Sequence, residues 1–420
     1  MGKSSNRASL ILAIVCAATL TAPNSAPAQT FSVLHAFGYD GAFYPTGGVS
    51  VDRNGNLYGT TEYGGSQNCF LGCGIVFRLS RHGSGWLLSP LYSFVGSQDG
   101  ANPVARVVIG PDGSLFGTTS QGGGTGCLGD LGCGTVFNLR PPQHAPANVL
   151  SSWSETVLYR FVGGDDGGGP QSADLIFDPA GNIYGTTLSG GGTGCDEACG
   201  TVYQLAPSNG GWTESVIHSF NQPGDGTQPY AGIVRAPSGD LFGATAGGGT
   251  YRDGVVFQLV RSASGWTEQV LHNLQQATDG AYSYGGMVLD PAGTLFGTAE
   301  YGGPQGGGTV FEMTHSGTWT FTLLTSFSSS YPTGPLGSMV MDPAGNLYGT
   351  TNEEGAYNFG TVFKLSPGAG GWTLTTLHDF TNGSDGAFPT GPLAIDAQGN
   401  LYGTTTSGGT GGGVVYEITP

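Results

Sequence analysis

The chain has 420 residues, 79 of them glycine and 24 proline, with 11% aromatic and only 10% charged residues. Disordered chains are charge-rich and aromatic-poor, so this composition points to a folded protein with many tight turns. A formal charge of −17 repels phosphate backbones and argues against nucleic acid as a partner.

The first 28 residues read as a secretory signal. Lys3 and Arg7 give a basic start, Ser9 to Leu20 is an apolar run too short to span a bilayer comfortably, and Ala26-Pro27-Ala28 suits cleavage after Ala28. Cleavage removes two bases and no acid and deepens the charge to −19. Val15 before Cys16 argues against lipid attachment, and no later segment is long and apolar enough to cross a membrane.

From residue 29 on, one pattern repeats. Phe31 to Phe37 is a lone strand-like run. The string Leu57-Tyr-Gly-Thr-Thr61 then recurs from Leu115, Ile183, Leu241, Leu295, Leu347 and Leu401. A string like Gly-Ile-Val-Phe-Arg-Leu at 74–79 follows each copy. Six copies are followed in turn by a Trp-led run, from Trp86, Trp153, Trp212, Trp266, Trp319 and Trp372. A run like Gly-Met-Val-Leu-Asp at 286–290 precedes each copy. Four short β-rich runs per unit, bounded by Gly, Pro, Asn or Asp, predict four strands and no helix. Such a unit is a propeller blade. The last unit stops after its third run at 413–419, and Phe31–Phe37 resembles the missing fourth, 374–380. The expected fold is therefore all-β. It is a seven-bladed β-propeller over residues 29–420, with four antiparallel strands per blade, closed by pairing the N-terminal strand with the C-terminal three. The Asp-x-x-Gly-Asn stretches at 52–56, 178–182 and 342–346 read as hairpin turns, because they lack the carboxylate density of a calcium cage.

The Gly-Asn-Leu-Tyr-Gly-Thr-Thr and Gly-Thr-Val-Phe-x-Leu strings, with the Asp-Gly-Ala-x-Pro-x-Gly-Gly stretch, resemble the GloVer (Gloeo/Verruco) tandem repeat. That resemblance covers nearly all of the chain after residue 30. It implies an exported bacterial protein and supplies no catalytic residues to carry over. With no sorting segment after Pro420, a soluble secreted or periplasmic monomer is expected, not bound to a membrane once the signal is removed.

The cysteines beyond the signal form three close pairs, Cys69/Cys73, Cys127/Cys133 and Cys195/Cys199. In an exported chain they read as disulfides; zinc would favour CxxC spacing. All lie between second and third strands, on the face shared with the loops that enter the innermost strands. An Asp-Gly pair recurs in those entering loops at Asp40, Asp99, Asp166, Asp225, Asp279 and Asp385, accompanied by Tyr44, Tyr230, Tyr282, Tyr331 and Phe388. Two readings are open: a ring of carboxylates and aromatic platforms suited to a glycan, or turn chemistry repeated with the blade. Arg106 stands where other blades have Gly, Ala or Pro and is expected to point at the channel. His35, His218, His272 and His378 share one outer-strand position and read as packing residues. No catalytic residue, metal site or cofactor is expected. The functional expectation is a non-enzymatic propeller binding a glycan or other extracellular polymer. The alternative is a polysaccharide- or lactone-type lyase or hydrolase at the channel mouth.

Overall fold

Seven four-stranded antiparallel sheets and a two-stranded ribbon, Gly226–Thr227 with Gly247–Gly248, make up the computed structural model, which describes residues 29–127, 131–142, 153–171, 174–192, 199–221, 224–263, 265–328 and 334–419. The expected signal segment and Tyr331 lie outside the described residues. The sheets stand in a ring as blades. In blade 1 the order outward from the channel is Val49–Val51, Leu57–Thr61, Ile75–His82 and Gly85–Ser93. Blade 7 combines Ala394–Ile395, Leu401–Thr405 and Val414–Thr419 with Thr30–Ala36, which pairs Thr30 with Thr419 and His35 with Val415. The split repeat is thus made whole by the chain ends, and the final third strand is left with no open edge.

Seven apolar clusters hold the ring, each shared by two successive blades. The cluster of Ala394, Tyr402 and Val415 with Val49, Leu57 and Phe77 joins blade 7 to blade 1. The tryptophans that open the outer strands serve the same seams: Trp153 packs on Tyr58, Trp266 on Tyr184, Trp319 on Phe242 and Trp372 on Phe296.

The repeated string is explained residue by residue. Its glycine lies opposite an aromatic of the third strand in every blade, as in Gly59/Phe77, Gly349/Phe363 and Gly403/Tyr416. A Cβ on Gly59 would stand 2.6 Å from Phe77 Cζ, so only glycine lets the ring lie flat there. Its last threonine donates to a carbonyl two residues on, Thr61 to Tyr63 and Thr187 to Ser189, which turns the chain out of the strand. The preceding turn is locked by one carboxylate. Asp52 Oδ1 accepts from the Asn54 and Asn56 amides, and Oδ2 accepts from the Asn56 side chain and the Tyr58 hydroxyl. Asp178, Asp342 and Asp396 repeat this arrangement. With its oxygens committed to hairpin groups, this aspartate is turn chemistry.

Candidate functional site: the channel mouth

In six blades the loop entering the innermost strand bridges to the loop between second and third strands, as in Phe43/Tyr63, Ala101/Gln121, Ala281/Tyr301 and Ala387/Ser407. Both loop sets therefore share one face, the face that also carries the cysteine clips. Cys69–Cys73 and Cys127–Cys133 are closed disulfides with Cα separations of 5.1 and 5.2 Å. Cys199 is disulfide-bonded as well, while Cys195 lies outside the described residues. The clips leave no room for a side chain at a position of each neighbouring loop: a Cβ on Gly96 would meet Cys69 Sγ at 2.9 Å, and one on Gly163 would meet Cys127 Sγ at 2.9 Å.

The Asp-Gly carboxylates are tied into the blade framework. Asp99 and Asp166 accept from the Tyr92 and Tyr159 hydroxyls and from the Val95 and Val162 amides. Asp225, Asp279 and Asp385 pair with His218, His272 and His378 and accept the amides of Asn221, Gln275 and Thr381. These histidines do pack on phenylalanines, His218 on Phe220 and His272 on Phe321, and in addition each bonds the aspartate seven residues on. A bulge at the same register of every outermost pairing shifts the strand's alternation, which aims this side chain at the loop. Asp40 stands five residues after His35 and is exposed beside a groove lined by Tyr39, Tyr44 and Tyr63.

Two rings of side chains line the channel. Near the mouth, equivalent positions carry Thr46, Val104, Gln171, Tyr230, Tyr284, Leu336 and Thr390 around a cavity of about 440 Å³. Deeper, Arg106 donates to Asp174 and, at 3.3 Å, to the Leu393 carbonyl. Arg106 thus faces the channel as expected, and its guanidinium is occupied by groups from two other blades. Tyr230 donates to Gln171 at 3.0 Å and meets the Tyr284 ring edge-on at 4.9 Å. Tyr282 stacks on Tyr284 at 6.3 Å, and Phe388 meets Phe359 edge-on away from this pair.

Glu62 and Glu300 complete the cavity wall. Each follows the Thr-Thr or Thr-Ala end of a second strand, where the other blades carry Ser120, Leu188, Ala246, Asn352 and Thr406. Glu300 is 6% exposed, and burial, with a smaller push from Glu353, raises it to about 7. Burial also raises Glu62, partly offset by the Tyr63 hydroxyl. Tyr230 is raised by burial and by both of these carboxylates, so all three groups act on one volume. Tyr284 is pushed up to about 12 by burial and the charge of Glu300. Neither glutamate was expected as a site residue. The signal was present in the sequence as an acid at a position that elsewhere holds a neutral residue.

Among the described residues, one group has metal-ligand geometry: donor atoms of His218, Asp225 and Glu268 all lie within 4.8 Å of one another. Its His–Asp part repeats the framework pairs His272–Asp279 and His378–Asp385. No helix among the described residues is long and apolar enough to cross a membrane.

Solved structures share the architecture at low identity. The extracellular domain of the one-component system BT4673 from B. thetaiotaomicron matches 92% of this chain at 12% identity with a TM-score of 0.52. The chain spans 39% of that protein's length. A fungal alcohol oxidase of the AA5 family in complex with copper matches 93% of this chain and 76% of its own, at 14% identity and a TM-score of 0.52. At such identities the likeness shows the fold alone. No curated protein matches the sequence. The Gloeobacter/Verrucomicrobia repeat matches residues 24–194, 132–275 and 260–420, and with the whole propeller built from that unit, the chain belongs to this repeat family.

Proposed function

We propose that the protein is an exported binding propeller that takes a carbohydrate, part of an extracellular glycan or related polymer, at the channel mouth. The observation that carries this reading is the Tyr230–Tyr284 pair set beside Gln171, Glu62 and Glu300 in one cavity of about 440 Å³. Aromatic rings cover the apolar C–H face of a sugar, and the surrounding carboxyl and amide groups bond its hydroxyls. The disulfide clips support export, because such bonds persist in oxidising compartments. They also preform the surrounding loops, which lowers the ordering cost of binding.

A polysaccharide and glycan array with the purified protein, run with and without chelator, tests the reading. Retention on a defined set of glycans is expected in both conditions, and Tyr230→Ala or Tyr284→Ala should weaken it about tenfold. No retention on any glycan would reject it. A second reading, hydrolysis or lyase chemistry, is favoured by Glu300, whose carboxyl near neutrality suits a general acid. Product release from a retained glycan, abolished by Glu300→Gln, would establish that reading. Retention without turnover leaves binding.

A further inference from the structure

We propose that the channel mouth selects an ammonium-bearing ligand, a sugar with a free amine, whose positive charge sits between Glu62 and Glu300 and over the Tyr230–Tyr284 rings. The inference rests on the carbohydrate reading and adds the chemical class. Three observations carry it.

The first is the break in the repeat. A carboxylate in every blade, such as the Asp-Gly aspartates, serves something every blade needs. Glu62 and Glu300 stand where five other blades manage with serine, leucine, alanine, asparagine and threonine, so the blade does not require them. They are also in different blades, 1 and 5, yet line one cavity.

The second is charge without a resident counter-charge. None of the cavity's lining residues is Lys, Arg or His. Arg106, the arginine in the channel, is engaged by Asp174 and the Leu393 carbonyl. Taking carboxylates out of water is costly unless a cation meets them, and burial accordingly raises both glutamates. A ligand ammonium supplies the missing partner and makes both ionised forms favourable.

The third is the aromatic wall. An ammonium over a tyrosine face is attracted by the ring quadrupole, and more strongly when desolvated, as in a cavity. Tyr282 stacks on the Tyr284 ring and is itself met edge-on by Tyr301 at 5.4 Å, so the platform is held in place.

The test is calorimetry of the full protein with three trisaccharides differing only at C2: glucosamine, N-acetylglucosamine and glucose units joined by the same linkage. Chelator is present throughout, so a metal bridge cannot contribute. The glucosamine trimer should bind about tenfold more tightly than the other two, and 0.5 M salt, on the order of a 4 Å Debye length, should shrink the gap. Glu300→Gln and Glu62→Gln, near-isosteric and checked for unchanged thermal midpoints, should bring the three sugars level. Tyr230→Ala should weaken all three. Equal binding of the three trimers to the wild-type protein would overturn the inference and leave the carbohydrate reading standing. If no trimer binds, methylammonium is titrated alone: its binding, lost in Glu300→Gln, upholds the charge selection and rejects the carbohydrate reading, and its failure rejects both.

Discussion

Replacing Gly349 by valine should cost the fold about 3 kcal/mol or more, among the largest effects of any single substitution in a blade. A Cβ at this position would lie 2.5 Å from Phe363 Cζ, 2.9 Å from its Cε1 and 3.1 Å from Met339 Cγ. Phe363 is 1% exposed and belongs to the cluster joining blades 5 and 6, so its ring has no free space to enter. The backbone is extended there, and the cost arises from packing rather than from a left-handed conformation. Gly370→Ala makes the control, since nothing lies within 4 Å of its Cβ position; its effect should stay within about 0.5 kcal/mol. Phe363→Leu should restore part of the loss in the Gly349→Val background, because it vacates the contested volume. Chemical denaturation of the four proteins measures this. A Gly349→Val protein as stable as the wild type would refute the packing explanation of the repeat.

Thermal stability should fall as pH rises from about 4.5 to about 8. Burial raises Glu155, Glu214 and Glu268 to about 7, and the framework aspartates Asp99, Asp166 and Asp225 add a like charge beside them. Burial also raises Glu300 to about 7 and Glu354 to about 8. A carboxyl whose folded pKa exceeds its unfolded value binds more protons when folded. Stability is therefore full below the unfolded value near 4.5 and is lost as pH rises through the folded value. Two effects oppose this. Burial lowers His35 and His378, a cost present below the usual histidine range. Hydrogen bonds hold Asp112, Asp178, Asp342 and Asp385 low despite partial burial, and their contribution disappears only below their ordinary range. With five glutamates raised against two histidines lowered, the optimum should lie near pH 5. The glutamates are partly exposed, so solvent screens each shift. Scanning calorimetry from pH 4 to 8 reads the profile. Glu155→Gln, Glu214→Gln and Glu268→Gln combined should flatten it, and a midpoint that climbs towards pH 8 would contradict the assignment.

The scaffold was legible because each blade writes the same constraints into the same places. The Gly of Leu-Tyr-Gly-Thr-Thr answers the aromatic across the ladder, and Asp52-x-x-Gly-Asn56 closes its own hairpin. The run at residues 31–37 lacked only a partner, which the last repeat supplies. The candidate site was less legible for the opposite reason. Recurrence drew attention to the Asp-Gly ring, yet recurrence marks what the blade needs: the seven-residue spacing of Tyr92/Asp99 and His272/Asp279 is a structural bond. Arg106 drew attention because it departs from its neighbours in the repeat, and it does line the channel. Glu62 and Glu300 depart in the same way, but only the ring brings residues 238 positions apart in sequence to one cavity.

Ring closure by the two ends of the chain is the claim on which the channel and its mouth depend, and a Thr30→Cys/Thr419→Cys protein tests it most directly. The two residues face each other across the closing strand pair and are both exposed. Mild oxidation should give a monomer with no free thiol, stabilised by roughly 2–5 kcal/mol through the constrained unfolded chain. Two titratable thiols in the folded, oxidised monomer would mean that these strands do not meet.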